Sequence, residues 1–337
     1  MTGFLGFTER KVFGNSLFPI IPMGEVSSFT PPPINKWQQD LGLPFSAWSI
    51  SRRLWNGYSG NLIEVRRSSD NATQNIGFNA DNELDTASLL SFVGLGSGFI
   101  RTIYDQSGGT NNFVQTAIAN QPRIVNAGTL DTVNGKPSAF FDGVNDAMNV
   151  ASSEATYNWM HNLTDANNDV LLLSVCQFGT SSNPNAIYSL LGNNAGTSTN
   201  IGFLMAFDDR ASSSRNNSFL TQVTYGALGF FVFLMVTADK ILPNQLNVVS
   251  ANTNRSNTFE SRAFGFVNQT NSFNTNSSGG TPINSNATFN MQLGASGNSS
   301  LNLLGYFSEL FLYRRQFLEF RSLTQYNKDL QNYYSIP

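Results

Sequence analysis

The chain has 337 residues, of which 40% are hydrophobic and only 12% charged, with a net charge of −3 and no basic run. That balance speaks against a nucleic-acid partner, because a phosphate backbone is gripped by clustered Lys and Arg. The surface must be covered by Asn, Ser, Thr, Gln and Gly instead, and 28 Phe fit a sheet-rich core. Cys176 is the only cysteine, so no intrachain disulfide can form, which favours assembly inside a cell.

Residues 1–45 are interrupted by proline in "FPIIPMG" and "FTPPPINKW", which makes them extended chain rather than core sheet. Glu9, Arg10 and Lys11 break the first apolar stretch, so the pattern of an export leader is missing. Phe4, Leu5, Phe7, Phe13, Leu17, Phe18, Ile20 and Ile21 are too apolar for a solvated linker. An arm that docks on another subunit is the expectation for this stretch, with a flexible leader as the alternative.

From Ala47 the pattern changes. "AWSISRRLW" reads as a short helix or as a turn with a strand. "NLIEVRRSS" alternates and predicts a strand, and "DTASLLSFVG" predicts a short helix capped by Asp85. "FIRTIYDQ", "NNFVQT", "PSAFFDGVNDAMNV" and "DVLLLSVCQFG" predict strands with turns between them. "AIYSLLGN", "IGFLMAFDD" and "FLTQVTYG" follow at regular spacing. The longest apolar run, Gly226–Ala238, is too short to span a bilayer as a helix and reads as a buried strand, so no membrane insertion is expected. "ATFNMQLGAS" and "LLGYFSELFLYRR" predict two more strands. Apolar residues at 317, 320, 323, 326 and 330 predict a terminal helix packed on the sheets. Many short strands with one late helix argue for an all-β, two-sheet antiparallel sandwich over 46–337.

"AWSISRRLWNGYSGNLIEVRRSSDNATQNIGF" followed by "TIYDQSGGTNNFVQTA" resembles the start of the catalytic domain of the α-L-arabinofuranosidase B family. The matching positions are Ser49, Arg53, Leu54, Tyr58, Ser59, Gly60, Leu62, Arg67, Ser69 and Asp70, then Ile103 through Gly108 and Asn111. "MQLGASGNSSLNLLGYFSELFLYRR" resembles that family's closing strands and also the wider group of concanavalin A-like modules. The resemblance implies a concanavalin A-like jelly roll. It also implies a nucleophile near "FLMAFDD", where the matching residue is Asp209, and an acid/base at Asn298. Glycosidases of this kind need two carboxyl groups about the scissile bond, and an amide cannot donate a proton as a general acid. The family's paired adjacent cysteines are reduced to Cys176.

Other chemistry is thin. His161 is the sole histidine, and "WMHNLTD" offers no nucleophile elbow, so a rim or loop histidine is expected. Zinc lacks ligands. Calcium is the one cofactor with candidate ligands, in Asp142 and Asp146 of "DGVND" and in "AFDDR", each also explained as turn chemistry. Trp55, Tyr58, Asp105, Asn111, Asn112, Asp209 and Asn298 are the residue types that stack on sugar faces and bind hydroxyls, and form the candidate carbohydrate-binding set. Trp48 and Trp159 supply the same chemistry or pack in the core. Asp105, Gln106 and Ser107 read best as a hydrogen-bonded turn.

These features lead to an expectation of a non-enzymatic virion structural protein: a phage spike, fibre or capsid-decoration subunit, assembled in host cytoplasm. It would be a homo-oligomer, attached to other virion proteins by the arm and binding a host-surface glycan. The alternatives are an arabinofuranosidase-like glycoside hydrolase, with Asp209 as its one catalytic candidate, and a bacterial surface adhesin module.

Overall fold

Alternating apolar residues with turn signals between them produce strands wherever one face can be buried, and that pattern recurs along most of this chain. The structure, a computed structural model, describes residues 41–162, 169–179, 187–194, 200–210, 218–225, 230–235, 241–253, 263–268, 270–273, 277–278, 284–314 and 320–337. Nearly all of the expected arm, 1–45, lies outside those residues. The chain divides into two units, Met1–Pro31 and Pro32–Pro337, and every described strand and helix belongs to the second.

In chain order the elements are β1 (Ser46–Ser49), β2 (Ile63–Arg67), β3 (Thr73–Ile76), α1 (Thr86–Val93), β4 (Gly98–Ile103), β5 (Phe113–Val114), β6 (Arg123–Asn126), β7 (Thr129–Leu130), β8 (Thr132–Val133), β9 (Lys136–Pro137), β10 (Ala139–Asp142) and β11 (Met148–Asn149). There follow β12 (Val170–Phe178), β13 (Ile187–Gly192), β14 (Ile201–Asp208), β15 (Ser218–Tyr225), β16 (Phe230–Met235), β17 (Leu246–Thr253), β18 (Ala263–Val267), β19 (Thr270–Phe273), β20 (Ser277–Ser278), β21 (Gln292–Leu293), β22 (Leu304–Arg314) and α2 (Phe320–Tyr333). "AWSISRRLW" resolves as the end of β1 followed by a turn, and "ATFNMQLGAS" contributes only the two residues of β21. No helix among the described residues is long and apolar enough to cross a membrane.

All pairings are antiparallel. One sheet runs β19–β18–β17–β12–β22, with β1 and β10 sharing the far edge of β22. The other runs β3–β2–β4–β5–β11–β21–β13–β14–β15–β16–β20. β6 pairs with both β4 and β10 and joins the two, so the sandwich is nearly closed. The expected two-sheet antiparallel sandwich is therefore present.

β12 is buried on both faces, and its alternation assigns its residues to two cores. Val170, Leu172, Cys176 and Phe178 lie between the sheets with Trp48, Phe113, Phe141 and Phe207. Leu171, Leu173 and Val175 face outward, under α2. The helix lays Leu323, Tyr326 and Leu330 on that outer face, so its 3.6-residue period is read out in packing. Tyr333, Tyr334 and Ile336 extend the contact.

β22 departs from simple alternation. A bulge opposite Val175 and Cys176 skips Ser308. Phe307 consequently shares the inner core with Leu310 and Leu312, while Phe311 and Tyr313 face the helix. Glu309, on the same face as Phe311 and Tyr313, points to the helix side, where it is fully buried. Arg52 holds it there through Nε at 3.1 Å and Nη2 at 2.8 Å, and the Tyr334 hydroxyl donates to it at 2.9 Å. Breaking such a pair by removing one partner costs about 3–5 kcal/mol. Gly305, at φ +145, lies so close to the Gln177 carbonyl that a Cβ would collide with it, which explains a glycine in mid-strand.

Candidate functional site

The family-like turn sits between β4 and β5, and its polar groups close on the chain itself. Asp105 is 2% exposed. Its Oδ1 accepts the N–H groups of Ala47 and Ser107, each at 3.0 Å. Fully buried Gln106 accepts the Leu54 N–H at 2.7 Å and donates to the Arg52 carbonyl at 3.1 Å. Asn112 Oδ1 accepts the Asp105 N–H at 2.9 Å, and Asn111 donates to Ser46 Oγ at 2.9 Å. Trp48, fully buried, donates its indole N–H to the Asn111 carbonyl at 2.8 Å. The turn thus clamps the β1 segment to β4. Burial raises the Asp105 pKa above the usual carboxylate range, against the pull of its N–H donors.

Trp55 and Tyr58 lie beside this turn, half-buried. Each ring folds back over the glycine two residues on, Gly57 and Gly60. Trp55 also comes within reach of Gly108. The Tyr58 hydroxyl donates to the Asn61 carbonyl at 2.7 Å, and its ring meets Phe78 edge-on at 6.2 Å. Burial, with the nearby Tyr104 and Asp105, pushes its pKa up to about 12. Trp159 is core, 1% exposed, as is Trp48.

The carboxylates at the end of β14 divide by environment. Asp208 has no exposed side-chain surface and is clasped by Arg210, from Nε at 2.8 Å and Nη2 at 2.6 Å. Asp209, next along, is half-buried, and burial followed by the charge of Asp208 raises its pKa. Sequence reasoning singled out Asp209 and missed the Asp208–Arg210 clasp; the local signal was the i, i+2 spacing in "DDR".

Asn298 is exposed, and its Oδ1 accepts from Ser296 Oγ at 2.9 Å and Ser300 Oγ at 2.5 Å. Its neighbour Gly297 donates to the Asn194 carbonyl, beyond the end of β13, whereas Asp208 lies opposite Ile187 at that strand's start. Residues 187 and 194 are separated by roughly 20 Å of extended chain. Asp209 and Asn298 therefore stand toward opposite ends of one strand, and the structure does not bring them together as a catalytic pair.

The calcium candidates form a turn. Asp142 Oδ1 accepts from Val144 N–H at 2.8 Å and Asn145 N–H at 3.3 Å, and Asp146 Oδ2 accepts from Asp142 N–H at 2.9 Å. Among the described residues no group of three or more His, Cys, Asp and Glu side chains is arranged to hold a metal ion. His161 lies in the turn that follows Asn158–Met160, a loop position as expected, but it is fully buried and not at a rim, with Nε2 at 2.8 Å from the Ser285 carbonyl. Cys176 is buried between the sheets, where desolvation raises its thiol pKa.

A family model described as "Alpha-L-arabinofuranosidase B, catalytic" matches residues 41–162, about a third of the chain. No curated protein sequence matches. Among solved structures, a GH54 α-L-arabinofuranosidase soaked with a cyclic sulfate inhibitor is similar over 88% of this chain, with a TM-score of 0.61 and 15% identity. An arabinofuranosidase complexed with arabinofuranosyl-α-1,2-xylobiose is similar over the same 88%, with a TM-score of 0.59 and 13% identity. The chain spans 64% of the length of each. At these identities the likeness is one of fold.

These findings overturn the expectation of a non-enzymatic virion protein: the family model matched is that of an arabinofuranosidase catalytic domain, the solved arabinofuranosidases share the fold, and nothing among the matches points to a virus particle. That expectation leaned on Asn298 as a lost acid. Asn298 lies toward the far end of β13 from Asp208, so its amide says nothing of the chemistry beside Asp209.

Proposed function

We propose that residues 41–337 form an arabinofuranosidase-like glycoside-hydrolase domain that releases terminal arabinofuranosyl groups. The observation that carries this reading is the coincidence of the family model at 41–162 with a fold likeness extending over 88% of the chain. Asp209 is the assigned reacting carboxyl. It is half-buried, and its proton is held more tightly than an ordinary carboxyl's, which suits a group that protonates a leaving oxygen rather than the nucleophile that the resemblance implied at this position; a second carboxyl must then make the attack. Asp208 is committed to Arg210 and steadies the strand end from which Asp209 projects.

The test compares two substrates. The purified chain should release arabinose from arabinofuranosyl-α-1,2-xylobiose and 4-nitrophenol from 4-nitrophenyl α-L-arabinofuranoside. Asp209→Asn should slow the first by about 100-fold or more. It should slow the second far less, because 4-nitrophenolate leaves without protonation. Activity on the xylobiose substrate should fall as pH rises through the raised Asp209 pKa, where the acid loses its proton. Release of neither product by the wild-type chain would overturn the reading.

A further inference from the structure

On the outer face of the seam between the two sheets, five strands each place one side chain in a continuous row. Arg66 on β2 is opposite Phe99 on β4, Phe99 opposite Arg123 on β6, Arg123 opposite Phe140 on β10, and Phe140 opposite Tyr306 on β22. Their chain neighbours Val65, Ile100, Ile124, Phe141 and Phe307 fill the inner core, so the row faces outward. The Arg66 guanidinium lies 4.8 Å from the Phe99 ring centre and that of Arg123 4.7 Å from Phe140, while Phe140 and Tyr306 are 5.1 Å apart. A cleft of about 470 Å³ opens on this row, walled further by Ser97, Asn126, Gln121 and Asp146. That volume falls in the range of small-molecule sites.

The charges in the cleft are unevenly matched. Arg123 is held by both oxygens of Asp131, at 2.8 and 3.1 Å. Arg66 is 6% exposed and donates to amide oxygens only, Gln121 Oε1 at 2.7 Å and Asn71 Oδ1 at 2.8 Å. Among the described residues no carboxylate forms an ion pair with it. A guanidinium stays charged at any working pH, and a buried charge is costly without a counter-charge. Asp146, also 6% exposed, stands on the other wall. Burial, then the charge of Asp142, lifts its pKa to about 7 against the pull of Arg123. Near neutrality it is therefore a hydrogen-bond donor for much of the time.

We propose that this cleft binds a sugar acid, with the carboxylate of a uronic acid beside Arg66 and its ring along the Phe99–Phe140 row. Ser97, Asn126 and Gln121 are the groups at hand for its hydroxyls. The site uses none of residues 187–210 and stands or falls independently of the hydrolase reading.

Calorimetric titration of the full chain with D-galacturonate, D-galactose and acetate, at pH 6 and pH 8, tests it. Galacturonate should bind, with galactose and acetate each weaker by about tenfold or more, the worth of one lost ion pair or of the sugar ring. Affinity for galacturonate should fall from pH 6 to pH 8 as Asp146 loses its proton. The groups facing that carboxyl are Asp142 and Arg123, with Asp131 and Tyr306 beyond Arg123. Asp146→Asn, whose amide oxygen still accepts the Asp142 N–H, should bind at pH 8 as well as at pH 6. Arg66→Gln should abolish binding in a chain that still hydrolyses or, failing that, still melts cooperatively. The proposal is overturned if galactose or acetate matches galacturonate, if none of the three binds, or if the Asp146→Asn variant keeps the wild-type pH dependence.

Discussion

In the turn between β4 and β5, Asp105 and Gln106 are buried and face inward to the chain. Three backbone N–H groups, of Ala47, Leu54 and Ser107, end on their oxygens. In the row across β2, β4, β6, β10 and β22 the polar atoms face a cleft, and Arg66 meets only amide oxygens there. Both regions fall largely within the stretch matched by the family model. The difference teaches that a recognisable signature marks where the fold is fastened, while a surface available to a ligand need carry no signature at all.

The comparison breaks first at Asp105. Asp105→Ala leaves two buried N–H groups without an acceptor, at about 1–3 kcal/mol each, so a loss of about 4 kcal/mol in urea unfolding is expected. Asp105→Asn keeps an acceptor oxygen and should cost at least about 1 kcal/mol less. A loss under about 1 kcal/mol for the alanine variant would remove the turn's role as a clamp.

Asp146 sharpens the other side. Its folded pKa of about 7 lies above the ordinary carboxylate value near 4. Between those values the folded chain holds a proton that the unfolded chain has released, so stability falls as pH rises from 4 to 7 and stays low above. Asp146→Asn should flatten that profile and gain up to about 3 kcal/mol at pH 8. Denaturation midpoints measured from pH 4 to pH 8 read this directly, and a parallel decline in both proteins would show that Asp146 is not desolvated. The smallest effect is expected at Phe99→Leu, which removes the ring under Arg66 at a cost of about 0.5–1 kcal/mol.

Much of the scaffold was legible locally. Asp85 caps α1 by accepting the Ser88 N–H at 3.0 Å, as its position before an apolar stripe predicts. Leu323, Tyr326 and Leu330 lie on one face of α2 at the spacing read from the sequence. β2, β12 and β14 are alternating or continuous apolar runs and fall where such runs place strands. The bulge in β22 was not legible, because one skipped residue reverses the facing of everything before it. Strict alternation along 304–313 would put Phe307 with Phe311 and Tyr313 instead of with Leu310 and Leu312. The Arg66–Tyr306 row was hidden for a related reason. Its members are brought together by register between strands far apart in the chain, and no window of sequence contains two neighbours of the row. Asp209 was legible only through a resemblance, whereas its partner clasp needed the burial of Asp208 to be seen.

The pairing of β1 with β22 sets Ser46 opposite Leu312 and Trp48 opposite Leu310. A nascent chain elongating at about 5–20 residues per second needs roughly 10–50 s to make the intervening segment. During that interval the Asp105 clamp can tie β1 to β4, but the strand that β1 pairs with is not yet made. Trp48, with Trp159 one of the two largest side chains in the fully buried set, must wait without its β22 neighbours in the meantime. The first described strand is thus among the last to be secured, and the yield of soluble chain should depend on what shields that tryptophan until the final strand emerges.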